Sequence, residues 1–215
     1  MPHGASARLF VALDPPPQAR DALAAWARSA AAALVAGAVQ RGGAPRLLDP
    51  AQLHLTLCFL GSRPVAEIEP LAAALAACTW EPGELWLGAP LLLPPRRPGT
   101  LAVAVRSPDG RLERFQQSVT AALARASGWQ PERRGYRAHI TVARLPGGGR
   151  SARGIRAAQP PSGPLPPTPA LSFTAVSATL YRSFLEPSGA VHEPLAVLGA
   201  TEAYSGNPPW PSGSQ

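Results

Sequence analysis

Four histidines occur in the chain, and two of them are followed two residues later by threonine, in Leu53-His54-Leu55-Thr56-Leu57 and in Ala138-His139-Ile140-Thr141-Val142. With 9 threonines in 215 residues, two such pairs arise by chance about once in a hundred. In an extended strand successive side chains alternate between faces, so His54 and Thr56 share one face, with Leu53, Leu55, Leu57 and Phe59 on the other. His139 and Thr141 project together in the same way. An imidazole titrates near pH 6.5, so one of two histidines can be neutral while its partner is protonated, which suits a division of base and acid work. The hydroxyls add donors for phosphate oxygens. A lone histidine in an apolar strand is most often a satisfied core residue, and the pairing weighs against that reading here. Histidine also ligates metals, but no third ligand at suitable spacing stands out among the carboxylates or thiols. No metal is assigned.

These motifs need strands, and the pattern supplies them. Residues 8–13 form a short apolar run ending at Asp14 and three prolines, after which Leu23, Trp26, Ala27, Ala30 and Leu34 recur at helical spacing as far as Gly37. A second strand is predicted over 53–60, and Pro64 is expected to open an amphipathic helix carrying Ile68, Leu71 and Leu75. A hairpin follows, Glu84 to Leu93 and Thr100 to Arg106, around a Pro-Pro-Arg-Arg-Pro-Gly turn. Leu112, Phe115, Val119 and Leu123 form one stripe of a third helix that stops near Gly128. Strands are predicted over 136–144, 173–184 and 191–198, with a Pro- and Gly-rich surface loop over 146–169. Strand-helix-strand thus appears twice, once around each motif, and an internal duplication is the economical reading. Frequent hairpins favour α+β with two sheets over a doubly wound parallel sheet.

Length and composition predict one domain over residues 1–200, built on one sizeable core, followed by a Pro-, Gly- and Ser-rich disordered tail over 201–215. No apolar run approaches the roughly 18 residues that span a bilayer, and the N-terminus lacks a signal-peptide pattern, so a cytoplasmic location is expected. Cys58 and Cys78 each lie in an apolar stretch and read as reduced, buried thiols. The net charge is +7 and all 20 basic residues are arginine. A guanidinium fork suits phosphate, but an Arg-, Ala-, Gly- and Pro-rich composition produces the same excess, so charge permits an RNA partner without arguing for one.

The residues carry a resemblance to the 2H phosphoesterase superfamily, in its branch of bacterial LigT-like RNA 2',3'-cyclic phosphodiesterases. It rests on Arg8-Leu9-Phe10-Val11-Ala12-Leu13, on His54 to Thr56 with Phe59-Leu60-Gly61, on His139-Ile140-Thr141-Val142-Ala143-Arg144, and on Leu180-Tyr181 with Ser183. The resemblance implies a bilobal fold with pseudo-twofold symmetry, two antiparallel-rich sheets lining a central cleft, helices outside, and neither metal nor cofactor. It implies that His54 donates a proton to the departing 3' oxygen and that His139 accepts one from the attacking water, labels that exchange if the substrate lies the other way. Thr56, Thr141 and Arg144, the last five residues past its motif histidine, would bind phosphate; Arg134 and Arg137 are weaker candidates. The implied partners are RNA ends bearing a 2',3'-cyclic phosphate, or cyclic nucleotides, met by a monomer without membrane contact. Two departures stand out: Ala138 replaces the proline usual before the second motif, and His192 stands where tyrosine is usual. His192 and His3 are assigned no catalytic role. Phe10 and Tyr181 are candidates to stack on a base, core packing being the competing role for Phe10. RNA 2'-5' end joining and non-catalytic nucleotide binding remain as competing functions.

Overall fold

The computed structural model describes residues 5–37, 43–95, 97–132, 134–146, 164–186 and 189–199. The tail over 201–215 and most of the loop predicted over 146–169 therefore lie outside the described residues. Nine strands and three α-helices are found among those described: β1 (Ser6–Asp14), α1 (Pro17–Gly37), β2 (Arg46–Leu47), β3 (Leu55–Pro64), α2 (Ile68–Ala76), β4 (Glu84–Leu93), β5 (Thr100–Arg106), α3 (Arg111–Ser127), β6 (His139–Arg144), β7 (Ser172–Thr174), β8 (Ser177–Glu186) and β9 (Gly189–Gly199). No helix among the described residues is long and apolar enough to cross a membrane.

The fold is α+β, and every strand pairing among the described residues is antiparallel. The strands follow the order β7-β4-β5-β6-β3-β1-β8-β9, with β2 beside β6. The two sheets expected from the sequence are the two halves of this one sheet, joined between β3 and β6 at the single pair Leu55↔Ile140. Each half is assembled from distant segments. β1 pairs with β3 on one side and with β8 of the C-terminal hairpin β8–β9 on the other, and the middle of the chain supplies the other half. The repeat is visible as β1-α1-β3 and β5-α3-β6, but the helices cross over: α1 lies against β2 and β6, and α3 against β3.

This crossing places one large core on the helix-covered face. Leu9, Val11 and Leu13 of β1 are fully buried, as are Leu23 and Ala30 of α1, Leu71 and Leu75 of α2, and Leu112, Val119 and Leu123 of α3. The predicted α3 stripe is buried throughout, and Gly128 ends that helix at φ 65°, where a side chain is disfavoured. Among the described residues, the opposite face of the sheet carries a small buried apolar cluster of Phe10, Ala12 and Tyr181. Apolar burial of roughly 25 cal/mol per Å² thus drives the helices onto one side and leaves the other side of the central strands for polar groups.

The boundaries differ from expectation in three places. β3 begins at Leu55 and continues to Pro64, so His54 precedes the ladder and Pro64 closes a strand instead of opening a helix. A short helical turn, Val65–Glu67, then leads into α2. The strand predicted over 136–144 starts at His139. The run predicted over 173–184 divides into β7 and β8, because Ser172–Thr174 pairs with β4 and the chain then moves to the other half to pair with β1.

Candidate functional site

The two motifs meet at the centre of the sheet. The Leu55↔Ile140 pair fixes an antiparallel register that sets His54 against Thr141 and Thr56 against His139. All four side chains are half-buried, whereas Leu55, Ile140, Leu57 and Val142 are buried in the core behind them. The alternation predicted for the motif residues is therefore observed.

Both imidazoles are held in the same way. His54 Nδ1 lies 2.8 Å from the Gln52 carbonyl oxygen, and His139 Nδ1 lies 2.7 Å from the Arg137 carbonyl oxygen. A carbonyl only accepts, so Nδ1 carries the hydrogen in each ring and Nε2 is left as the nitrogen that can take up or deliver a proton. Gln52 belongs to the short helical turn Pro50–Gln52, whose Asp49 side chain accepts a hydrogen bond from Ala51 N at 2.9 Å. That turn fixes the ring just before the strand begins.

Beyond the motifs the alternation breaks. Val11 pairs with Cys58 but Ala12 with Thr56, and Leu101 pairs with Ala143 but Ala102 with Thr141. Each motif strand thus carries a β-bulge at the same place, and both Leu57 and Cys58, like Val142 and Ala143, turn into the core. The residue five positions past each histidine consequently returns to the motif face. Phe59, expected with Leu53, Leu55 and Leu57, instead meets Phe10, with ring centroids 5.6 Å apart, and is 46% exposed. A second register shift follows at Gly61, whose φ of 74° explains why glycine ends the Phe-Leu-Gly run.

Arg144 occupies the position equivalent to Phe59. It is exposed, and its guanidinium donates to Thr100 Oγ1 at 2.9 Å. It lies close enough to His54 and His192 to push both imidazoles toward the neutral form. Arg134 and Arg137 are exposed, and the contact that Arg137 makes with the site is through its backbone carbonyl.

Two residues left out of the sequence-based site belong to it. His192, on β9 opposite Ser183, packs edge-on against Phe10 at 4.9 Å and against His54 at 5.3 Å between ring centroids. Burial, with His54 and Arg144 nearby, pushes its pKa down to about 4, so it is neutral at physiological pH. The other is Asp14, buried at the end of β1, which accepts hydrogen bonds from Ser177, Thr179 and Tyr181. Its signal in the sequence was the polar row Ser177-x-Thr179-x-Tyr181 in an otherwise apolar strand, since buried hydroxyls require a partner.

Burial holds the His54 pKa below its ordinary value; Arg144 and Arg20 act in the same direction, and the Gln52 carbonyl and the Asp14 carboxylate oppose them. Phe10 and Tyr181 are only 1% and 6% exposed, so neither presents a ring face for base stacking and both act as packing. Cys58 is buried with its pKa pushed up to about 12, and Cys78 is half-buried; neither forms a disulfide. A thiol so desolvated stays protonated and is a poor nucleophile. Among the described residues, no three His, Cys, Asp or Glu side chains group as metal ligands. The small apolar cavity between α1, β2 and Val142 lies on the core side of β6, away from the motif face.

Two imidazoles with free Nε2 atoms, two hydroxyls and one guanidinium, all on one face of the sheet, are suited to in-line displacement at phosphorus. Residues 15–183 match the model of the 2'-5' RNA ligase superfamily. The chain belongs to that superfamily. It is a LigT-like 2H phosphoesterase by family and fold. The structure resembles TT0787 of Thermus thermophilus, with 25% identity, a TM-score of 0.67, and 89% of this chain and 97% of that chain covered. It likewise resembles E. coli LigT complexed with 3'-AMP, at 22% identity and TM-score 0.67, covering 92% of this chain and 100% of that one. A structure described as a phosphoesterase gives 23% identity and TM-score 0.68 over 92% of this chain and 100% of that chain. No curated protein matches the sequence.

Proposed function

We propose that this 2H phosphoesterase hydrolyses the 2',3'-cyclic phosphate at RNA ends, or on nucleotides, to a 2'-phosphomonoester. The observation that carries the reading is the matched pair of histidines, each with Nδ1 tied to the carbonyl two residues before it and Nε2 left for proton transfer. His139 accepts a proton from water as the water oxygen attacks phosphorus. The bond from phosphorus to the 3' oxygen breaks, and His54 protonates that oxygen. Thr56, Thr141 and Arg144 hold the non-bridging oxygens, and the exposed ring of Phe59 offers a surface to an unpaired base. Structures of E. coli LigT with 3'-AMP, phosphate, ATP and NADP+ support a nucleotide or phosphate ligand for the site. The test is turnover of a short RNA bearing a 2',3'-cyclic phosphate, with chelator present and the product read by phosphorus NMR. A 2'-phosphate is expected. A 3'-phosphate would reverse the attack geometry, and no product would end the hydrolytic reading. Formation of 2'-5' linkages from the same ends, with a 5' hydroxyl attacking phosphorus in place of water, would indicate end joining, which the superfamily's name favours as the second reading.

The assigned roles predict a pH dependence. As the acid, His54 must be protonated, and its pKa in the free protein lies below the ordinary value of 6.5 because of burial. kcat/KM, which reports the free protein, is therefore expected to fall as pH rises through a value below about 6.5. A bound phosphate anion favours the imidazolium, so kcat should persist to higher pH. If the roles are exchanged, the same low pKa appears instead on the acid limb, with kcat/KM rising through it. Paired kcat and kcat/KM profiles, with the limb assigned by NMR titration of His54, decide between the two.

A further inference from the structure

The two halves of the sheet match closely at the motifs and differ just behind them. On β1, Ala12 pairs with Thr56, and Asp14 lies two residues beyond it. On β5, Ala102 pairs with Thr141, and the position two residues beyond is Ala104, which pairs with His139. A carboxylate in one half thus corresponds to a methyl group in the other.

The carboxylate is built into a network. Asp14 is 5% exposed. Its Oδ2 accepts from Ser177 Oγ at 2.7 Å and from Thr179 Oγ1 at 2.6 Å, and its Oδ1 accepts from Tyr181 Oη at 2.7 Å, with an Arg20 guanidinium nitrogen 3.6 Å away. A buried charge is retained at a cost, and the three hydroxyl donors that converge on this carboxylate fix its geometry. Two routes lead from it to His54. Arg20 donates to the Ala51 carbonyl at 3.2 Å, inside the turn whose next residue, Gln52, holds His54 Nδ1 at 2.8 Å. Tyr181 stacks on Phe10 at 5.2 Å, and Phe10 packs against the His54 ring at 5.1 Å between centroids.

We infer that Asp14, acting through Arg20 and through the Tyr181–Phe10 stack, is the positioning residue of His54, and that it sets His54 apart from a histidine matched to it in register and in its Nδ1 anchor. The unequal chemistry rests on the proposed phosphodiester reaction; the positioning does not. Among the described residues, the charged and titratable groups facing His54 are Asp14 from β1, Arg20 from α1, Arg144 from β6, Tyr181 from β8 and His192 from β9. Asp14 favours the imidazolium, whereas Arg20 disfavours it, so the two partners pull His54 in opposite directions while holding it in one place.

The experiment titrates the imidazole nitrogens of the full chain by NMR, without substrate, in the parent protein, Asp14→Asn and Arg20→Gln. Asp14→Asn is expected to move the His54 titration to lower pH and Arg20→Gln to higher pH, with His139 unmoved in both. In both variants the His54 Nδ1–H signal should lose protection from exchange. Where the parent turns over a cyclic phosphate, each variant should lose about 10- to 100-fold in kcat with KM within about twofold, because a misplaced group is costly although neither residue touches substrate. Should Asp14→Asn fail to fold, Arg20→Gln retains the carboxylate and its three hydroxyl donors and still decides the matter. Unchanged His54 titration and protection in Arg20→Gln, equal shifts of both histidines, or a loss confined to KM would overturn the inference. A parent protein inactive on cyclic phosphate would refute the proposed reaction and leave the NMR comparison intact.

Discussion

Replacement of His139 or of His54 by alanine is expected to lower kcat by about 10²- to 10⁴-fold, with KM changed far less, in the hydrolysis of a 2',3'-cyclic phosphate. Each imidazole presents Nε2 to the reaction, because Nδ1 is committed to a backbone carbonyl. Deleting the ring removes a proton-transfer partner that water replaces poorly. The two substitutions should differ in stability. His139 is half-exposed on β6, whereas His54 packs against Phe10 and His192, so His54→Ala leaves those two rings without a neighbour and should lower the thermal midpoint more. The double variant is expected to be little worse than either single one, as is usual when groups serve one transition state. Turnover and thermal unfolding measured on the three variants check all of this; near-parental kcat in either folded single variant would refute the two-histidine mechanism.

The motif pair was legible in the sequence because it obeys strand alternation, and alternation is the rule the central strands follow between Leu53 and Leu57. Turn residues bounded Glu84–Leu93 and Thr100–Arg106 to the residue, since Pro and Gly between them cannot continue either ladder. The α3 stripe was equally plain: Leu112, Phe115, Val119 and Leu123 are local, periodic and buried. What was not legible was non-local. Strand character in 173–184 carries no record that residues 172–174 pair with β4 and residues 177–183 with β1. Nor does a duplicated pattern show that each helix packs on the opposite half, or that the N- and C-terminal strands share a half.

The bulges mark the sharper limit. A one-residue slip exchanges the faces of every later side chain, and nothing in Leu57-Cys58-Phe59 or Val142-Ala143-Arg144 announces one. Both bulges occur at the same distance from a motif histidine, so the repeat itself was the available clue: Phe59 and Arg144 are equivalent positions. Asp14 was hidden differently. Followed by three prolines, it reads as the end of the first apolar run, and linking it to the polar row of Ser177, Thr179 and Tyr181 requires the non-local pairing of β8 with β1.

Arg144 carries the second large expectation. Without the bulge, five residues from His139 would place it on the core face, where an unpaired guanidinium is not tolerated. With it, the side chain stands on the motif face, tethered to Thr100 Oγ1 and near enough to His54 to bias its protonation. A hydrogen bond to a charged group contributes about 1.5–3 kcal/mol, so Arg144→Met should reduce kcat/KM by about 10- to 100-fold. Arg144→Lys should recover only part of that loss, because an ammonium offers a point charge where the guanidinium offers a planar fork. The same methionine substitution removes a cation beside His54 and His192, so both imidazoles should titrate at higher pH in the variant, measurable by NMR. If kcat/KM stays at the parental level while those titrations move, Arg144 faces the histidines without touching phosphate. If both change, the bulge in β6 is the device that turns a residue of the wrong parity into part of the site.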